Sequence, residues 1–250
     1  MTMLQRDPRA VDTARLSPAS VLPRPRALVV AAVLYLLGLA IGVWAVSVGA
    51  RHTGELRLDE TLAADRGTLL ADIGKGVNVV AGPMVGPVWL LLICVVLWRT
   101  LGRVVALRAA LLTLVGWFSI EVFKWIFHRH RPPTSVVHAL VVEHGADSFP
   151  SGHTAFTASL VAALFLALAG HHTLRRIVLA VGLPLVVVIA ATRLVVGAHY
   201  LADVTAAPLL AWGSIAVAVA LGFAGVGPTF LPPWLHAVVI PDRKGNTPHP

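Results

Sequence analysis

The sequence is poor in charge. Asp, Glu, Lys and Arg make up 13% of the 250 residues, against 57% hydrophobic, where a soluble domain carries about a quarter charged residues. With a mean hydropathy of +0.80, water is not the main solvent of this chain. That excludes a soluble enzyme, a disulfide-stapled secreted module and a disordered tail. One cysteine, Cys94, allows neither a disulfide framework nor a cysteine-based metal site. Acidic residues are also scarce, 12 against 20 Lys and Arg, leaving a net charge of +8. A basic surplus can serve nucleic acid, but here the arginines cluster beside apolar runs, which is the signature of membrane orientation. No nucleic-acid partner is expected.

What the sequence has in quantity is apolar runs near membrane-spanning length, of which the second, 86–98, is short unless 78–83 extends it in broken form. They cover residues 27–49, 86–98, 107–127, 153–170, 177–195 and 200–225, and a helix needs about 20 apolar residues to cross the bilayer core. The expected fold is all-α: a polytopic membrane protein with six transmembrane helices at 27–226, a polar tail at 1–26 and a proline-rich tail at 227–250. An even number of spans puts both termini on one side. Counting Lys and Arg by side gives 12 with the termini and eight opposite, so the chain reads N-in and C-in. Between the first two spans, 51–82 mixes charges with leucines. It suits an amphipathic segment in the interface or a solvated loop equally well.

Ionisable residues near membrane depth are costly and therefore point to function. Here they gather in three clusters. The first holds Lys124 and Arg131, seven apart and on one face if the helix of the third span continues. The second is Pro150-Ser151-Gly152-His153 at the start of the fourth span, where free N–H groups and the helix dipole make an anion site. The third holds Arg193, His199 and Asp203. The last two, four apart, meet at the start of the sixth span, and the carboxylate can fix the imidazole tautomer. Two spans separate His153 from Arg193, so all three clusters fall on one membrane face. Three cations, a helix N-terminus, two histidines and one aspartate suit a tetrahedral dianion, a phosphoryl group, and lack the acidic set of a hard-cation site. Glu121, three residues before Lys124, is expected to form an ion pair with it. The loop 133–149, carrying Glu143, His144 and Asp147, is a candidate gate.

Lys124-x6-Arg131-Pro132, Pro150-Ser151-Gly152-His153 and Arg193-x5-His199-x3-Asp203 resemble the three-part signature of the type-2 phosphatidate phosphatase superfamily. That superfamily includes membrane lipid phosphate phosphatases, bacterial acid phosphatases and vanadium haloperoxidases. Thr192 stands where the family usually has Ser, and both carry a hydroxyl. The resemblance implies that His199 attacks phosphorus, that Asp203 holds its other ring nitrogen, and that His153 protonates the leaving oxygen and then activates water. It further implies that Lys124, Arg131, Arg193, Ser151 and Gly152 bind the phosphate oxygens, with no metal and no other cofactor. The expected protein is an integral enzyme of the inner (plasma) membrane with its site on the outer, extracytoplasmic face. Its partner is a lipid phosphate in the bilayer: polyprenyl diphosphate, phosphatidylglycerophosphate or phosphatidate. A phosphotransferase capturing the same phosphohistidine is the alternative. A lipid-binding transporter or scaffold is the rival from another class, and it would need the cations but not the paired histidines.

Overall fold

A computed structural model describes residues 24–82, 84–143 and 145–222. These form α1 (Arg24–Val48), α2 (Glu55–Asp65), α3 (Thr68–Val80), α4 (Gly86–Leu101), α5 (Arg103–Phe127), α6 (Thr134–Val137), α7 (Gly152–Ala167), α8 (His172–Val195) and α9 (Leu201–Ala220). Among the described residues there is no strand, only an isolated bridge between His130 and Asp147. All six apolar runs are helical. Four helices, α1, α5, α8 and α9, are long and apolar enough to cross a membrane, while α4 and α7 have 16 residues each. At 1.5 Å per residue the shorter pair reaches about 24 Å, less than the roughly 30 Å hydrocarbon core. Helix α1 is already helical at Arg24, the first described residue, inside the stretch read as tail. The remainder of both tails lies outside the described residues.

Helix α9 is the centre of the bundle and packs on α1, α5 and α7. The contacts are made by small side chains. A Cβ on Gly116 would lie 2.4 Å from Ser159 Oγ, and one on Gly38 would lie 2.6 Å from Leu210 Cδ2, so these helices meet backbone to side chain. Large apolar residues such as Leu36, Leu91, Phe118 and Val187 face outward. Small inside and large outside is the distribution of a bundle whose surroundings are as apolar as its core.

Residues 51–82 are not a solvated loop. They are a helical pair docked on α8, with α2 also touching α6. Helix α2, 11 residues long, is too short to span and buries two acids, Glu55 and Asp59. The C-terminal ends of α5 and α8 and the N-terminal ends of α7 and α9 gather at one end of the bundle, where Arg193 reaches His153 and Arg131 reaches His199. The three sequence clusters therefore meet, as expected. Their local geometry departs from expectation in one place. Helix α5 stops at Phe127, and His128 adopts a left-handed conformation (φ 42°), so Arg131 approaches on a loop and does not share a helical face with Lys124.

Candidate active site

His199 sits in the turn between α8 and α9. Gly197 makes that turn with φ 72°, and a Cβ there would come within 2.9 Å of Val137. The imidazole is 2% exposed and held from both sides. Nδ1 lies 2.8 Å from the Ser148 carbonyl, and Nε2 lies 3.2 Å from Arg131 Nη1. A carbonyl only accepts and a guanidinium only donates, so the proton is on Nδ1 and Nε2 carries the lone pair. Asp203 Oδ2 is 3.6 Å from Nδ1, beyond a good hydrogen bond. Its two oxygens are taken instead by the Tyr200 N–H at 2.8 Å and by Arg129 Nη1 at 2.7 Å. Ser148, which no motif marks, is thus the acceptor that sets the tautomer, with Asp203 as the adjacent negative charge. Burial pushes the His199 imidazole below its ordinary pKa; Asp203 opposes this and the Arg131 guanidinium adds to it. The ring is therefore neutral at pH 7 with its nucleophilic nitrogen free of a proton.

Across from it, His153 occupies the first turn of α7 and its Nε2 is 3.4 Å from Arg193 Nη1. The same Nη1 donates to Asn78 Oδ1 of α3 at 2.6 Å and to Glu143 Oε1 at 3.3 Å. Arg193 is fully buried, and its Nε and Nη2 have no hydrogen-bond partner. Glu143, from the loop, sits among cations and histidines. Burial acts against its charge, but His153, His199, Arg131 and Arg193 outweigh it and hold the carboxyl below its ordinary pKa. Ser151 is buried and caps no N–H with its side chain; its hydroxyl accepts from Thr154 Oγ1 at 3.1 Å. Lys124 donates to Glu121 at 2.9 Å, the expected ion pair.

A cavity of about 470 Å³ joins these groups. Its polar wall is Glu121, Lys124, Arg131, Glu143, Gly152, His153 and His199, and its apolar wall includes Pro87, Trp117, Phe118 and Phe156 of α4, α5 and α7. Of the eight residues singled out in the sequence, Lys124, Arg131, Gly152, His153 and His199 line this space. Arg193 and Asp203 stand directly behind it, and Ser151 supports the α7 terminus. The arrangement presents an unprotonated imidazole nitrogen, a second imidazole and fixed cations to one small volume, which is the equipment for in-line displacement at an oxyanion. Among the described residues no three His, Cys, Asp or Glu side chains are grouped to hold a metal ion.

Sequence reasoning missed a layer behind His199. Arg129 is buried and spans Asp203 and Glu55, with its guanidinium 4.4 Å from the centre of the Tyr200 ring. Asp59 lies one helical turn beyond Glu55. The only signal for these residues was two acids spaced i, i+4 in a segment otherwise readable as interfacial, and an extra Arg inside the six-residue gap of the first motif. Asn78 carried no signal at all.

Residues 103–225 match the model of the PAP2 superfamily. By sequence, no curated protein matches the chain. Among solved structures, the chain resembles a transmembrane PAP2-type phosphatidylglycerolphosphate phosphatase from Bacillus subtilis, with a TM-score of 0.65 and 19% identity over 80% of this chain and 98% of that one.

Proposed function

Through residues 103–225 the chain belongs to the PAP2 superfamily, and from that premise we propose that it is a multi-pass membrane phosphatase acting on lipid phosphates. The observation that carries this reading is the cavity, where His199 and His153 line one space with Lys124, Arg131, Glu121 and Glu143 on its polar side and Trp117, Phe118 and Phe156 on the other. In the proposed reaction His199 Nε2 attacks phosphorus and Arg131 moves from that nitrogen to a phosphoryl oxygen. His153 takes up a proton as the phosphate dianion binds and Arg193 turns from its Nε2 to the phosphoryl group. It gives that proton to the departing oxygen as the P–O bond breaks and the phosphohistidine forms, and then takes one from the water that releases phosphate. Lys124, Arg131, Arg193 and the Gly152 N–H at the start of α7 hold the three oxygens. The Ser151 hydroxyl, tied to Thr154, serves by fixing that helix terminus. The charge of the bound group is met by these fixed cations, so the reaction runs without a metal ion.

The apolar wall and the helix-end position of the site favour a substrate whose tail remains in the bilayer, where each buried CH₂ contributes roughly 0.8 kcal/mol. Polyprenyl diphosphate, phosphatidylglycerophosphate and phosphatidate all meet this description. For such long-chain substrates kcat/KM is expected to exceed that for a water-soluble phosphate ester by at least about 100-fold, close to 2.7 kcal/mol of transition-state binding. Phosphate release from a panel of lipid phosphates in mixed micelles, at fixed surface concentration, measures the ratio. Equal efficiency on short soluble esters overturns the lipid assignment. Transfer of the phosphoryl group to an acceptor alcohol without free phosphate would instead identify a phosphotransferase.

We further propose six spans, with α4 and α7 crossing beside the longer helices, both termini cytoplasmic and the site on the extracytoplasmic face of the inner membrane. The support is the distribution of Lys and Arg, 12 with the termini and eight opposite. A cysteine at Ser135, which is exposed in α6 next to the site loop, in a Cys94→Ser background, is expected to react with an impermeant thiol reagent on cells whose outer face is accessible. Labelling only after lysis inverts the topology.

A further inference from the structure

We infer that Arg129, anchored by Glu55 of α2, is the positioning residue of the nucleophile: one residue fixes both groups that face His199 Nδ1. Its carbonyl accepts from the Ser148 N–H at 2.7 Å, which presents the Ser148 carbonyl to Nδ1 at 2.8 Å. Its guanidinium holds Asp203 Oδ1 at 2.7 Å, leaving Oδ2 between the Tyr200 N–H and the imidazole. The inference rests on the phosphohistidine reading above and assigns it a residue, and a helix, outside the three motifs. Glu55 lies well before residues 103–225.

The anchor is built for rigidity. Glu55 is 4% exposed, grips Arg129 with both carboxylate oxygens and also accepts from the Ala202 N–H at 2.8 Å. It thereby ties α2 to the first turn of α9, which carries Asp203. The guanidinium carbon lies over the Tyr200 ring, 4.4 Å from its centre, a cation–π contact made more often by Arg than by Lys. Burial acts against the charge of Arg129, but Asp203 and Glu55 outweigh it and hold its pKa above the ordinary value. Asp59, 1% exposed and with neither oxygen hydrogen-bonded, completes the cluster. Burial, with Asp203 and Glu55 nearby, pushes its pKa up to about 8, so at neutral pH it is uncharged. One cation then serves two buried carboxylates, and a single negative charge is left over beside His199.

That balance gives opposite signs for two substitutions. The charged and titratable groups around His199 are Arg131, Glu143, His153 and Arg193 on the cavity side, and Asp203, Tyr200, Arg129, Glu55 and Asp59 behind. Arg129→Gln removes a cation, favours the imidazolium and leaves Asp203 and the Ser148 carbonyl less well fixed. We expect kcat to fall about 10- to 100-fold with KM changed less than about threefold, and the acid limb of the kcat profile to move up by about one pH unit. Glu55→Gln keeps the shape and the acceptor for Ala202 but removes a negative charge, so the limb moves down. Arg129→Lys restores charge without the two-pronged grip and recovers the limb position more than kcat.

The same shifts are read without turnover from the His199 titration by NMR of histidine-labelled full-length protein in detergent. A wild type that releases no phosphate from lipid phosphates defeats the functional reading, yet the titration still tests this inference. An unchanged His199 titration in both Arg129→Gln and Glu55→Gln overturns it. So does an Arg129→Gln protein whose loss is only in folded amount, with kcat per folded molecule and pH profile as in wild type. If Arg129→Gln does not fold, the downward shift in Glu55→Gln decides.

Discussion

His199→Ala is expected to lower phosphate release from lipid phosphate by at least about 1,000-fold and to abolish any phosphoenzyme trapped by rapid quench in alkali, where phosphohistidine survives. The size follows from the geometry. His199 lines the cavity, its Nε2 carries a lone pair beside the Arg131 guanidinium, and its Nδ1 proton is already committed to Ser148. Alanine leaves the Ser148 carbonyl without its donor, a cost of about 1–3 kcal/mol, so the protein should stay folded and the loss should be chemical. His153→Ala is expected to differ in kind. A substrate with a good leaving group, such as an aryl phosphate, does not need its leaving oxygen protonated, so the first step survives. The second step lacks its base, and phosphoenzyme accumulates. Near-normal turnover by His199→Ala would sink the covalent mechanism, and absence of phosphoenzyme in His153→Ala with an aryl phosphate would sink the division of labour between the two histidines.

The long apolar runs made the helices legible because a span announces itself by composition alone, and the one-end assembly of the clusters followed from counting crossings. Helix ends were less legible. His128 turns left-handed with nothing in its side chain to demand it, and so Arg131 arrives on a loop instead of extending α5. The residues around the cavity were readable because they sit in short, fixed spacings. The layer behind it was not, since Glu55 and Arg129 are 74 residues apart and become partners only through the docking of α2. A buried acid on a charged, amphipathic stretch looks like any solvated acid until its partner is located. The i, i+4 rule placed Asp203 near His199 correctly, but it could not show that backbone groups outcompete side chains: the Tyr200 N–H takes Oδ2 and the Ser148 carbonyl takes Nδ1.

Arg193→Ala is the other substitution expected to have a large effect, about 100- to 1,000-fold in kcat/KM, with a matching loss of affinity for vanadate as an oxyanion probe. Arg193 is fully buried, yet Nε and Nη2 lack partners and Nη1 is shared among Asn78, Glu143 and His153. A buried donor without an acceptor costs about 1–3 kcal/mol, so this guanidinium is better satisfied by an incoming oxyanion than by the protein alone. The nearest anion at present is the Glu143 carboxylate, 3.3 Å away, and a phosphoryl group entering the cavity takes its place. Removing Arg193 therefore has two consequences: an oxyanion donor is lost, and Glu143 faces the substrate without its ion-pair partner, leaving Arg131 as the cation that offsets its charge. The double variant Arg193→Ala/Glu143→Gln should accordingly recover about tenfold over Arg193→Ala by relieving like-charge repulsion. Arg193→Lys should recover little, because one ammonium cannot satisfy Asn78, His153 and a phosphoryl oxygen in the fork geometry that a guanidinium provides. If Arg193→Ala stays within threefold of wild type for both turnover and vanadate binding, this guanidinium has no part in holding the phosphoryl group. In that case Lys124, Arg131 and the Gly152 N–H must hold it without Arg193.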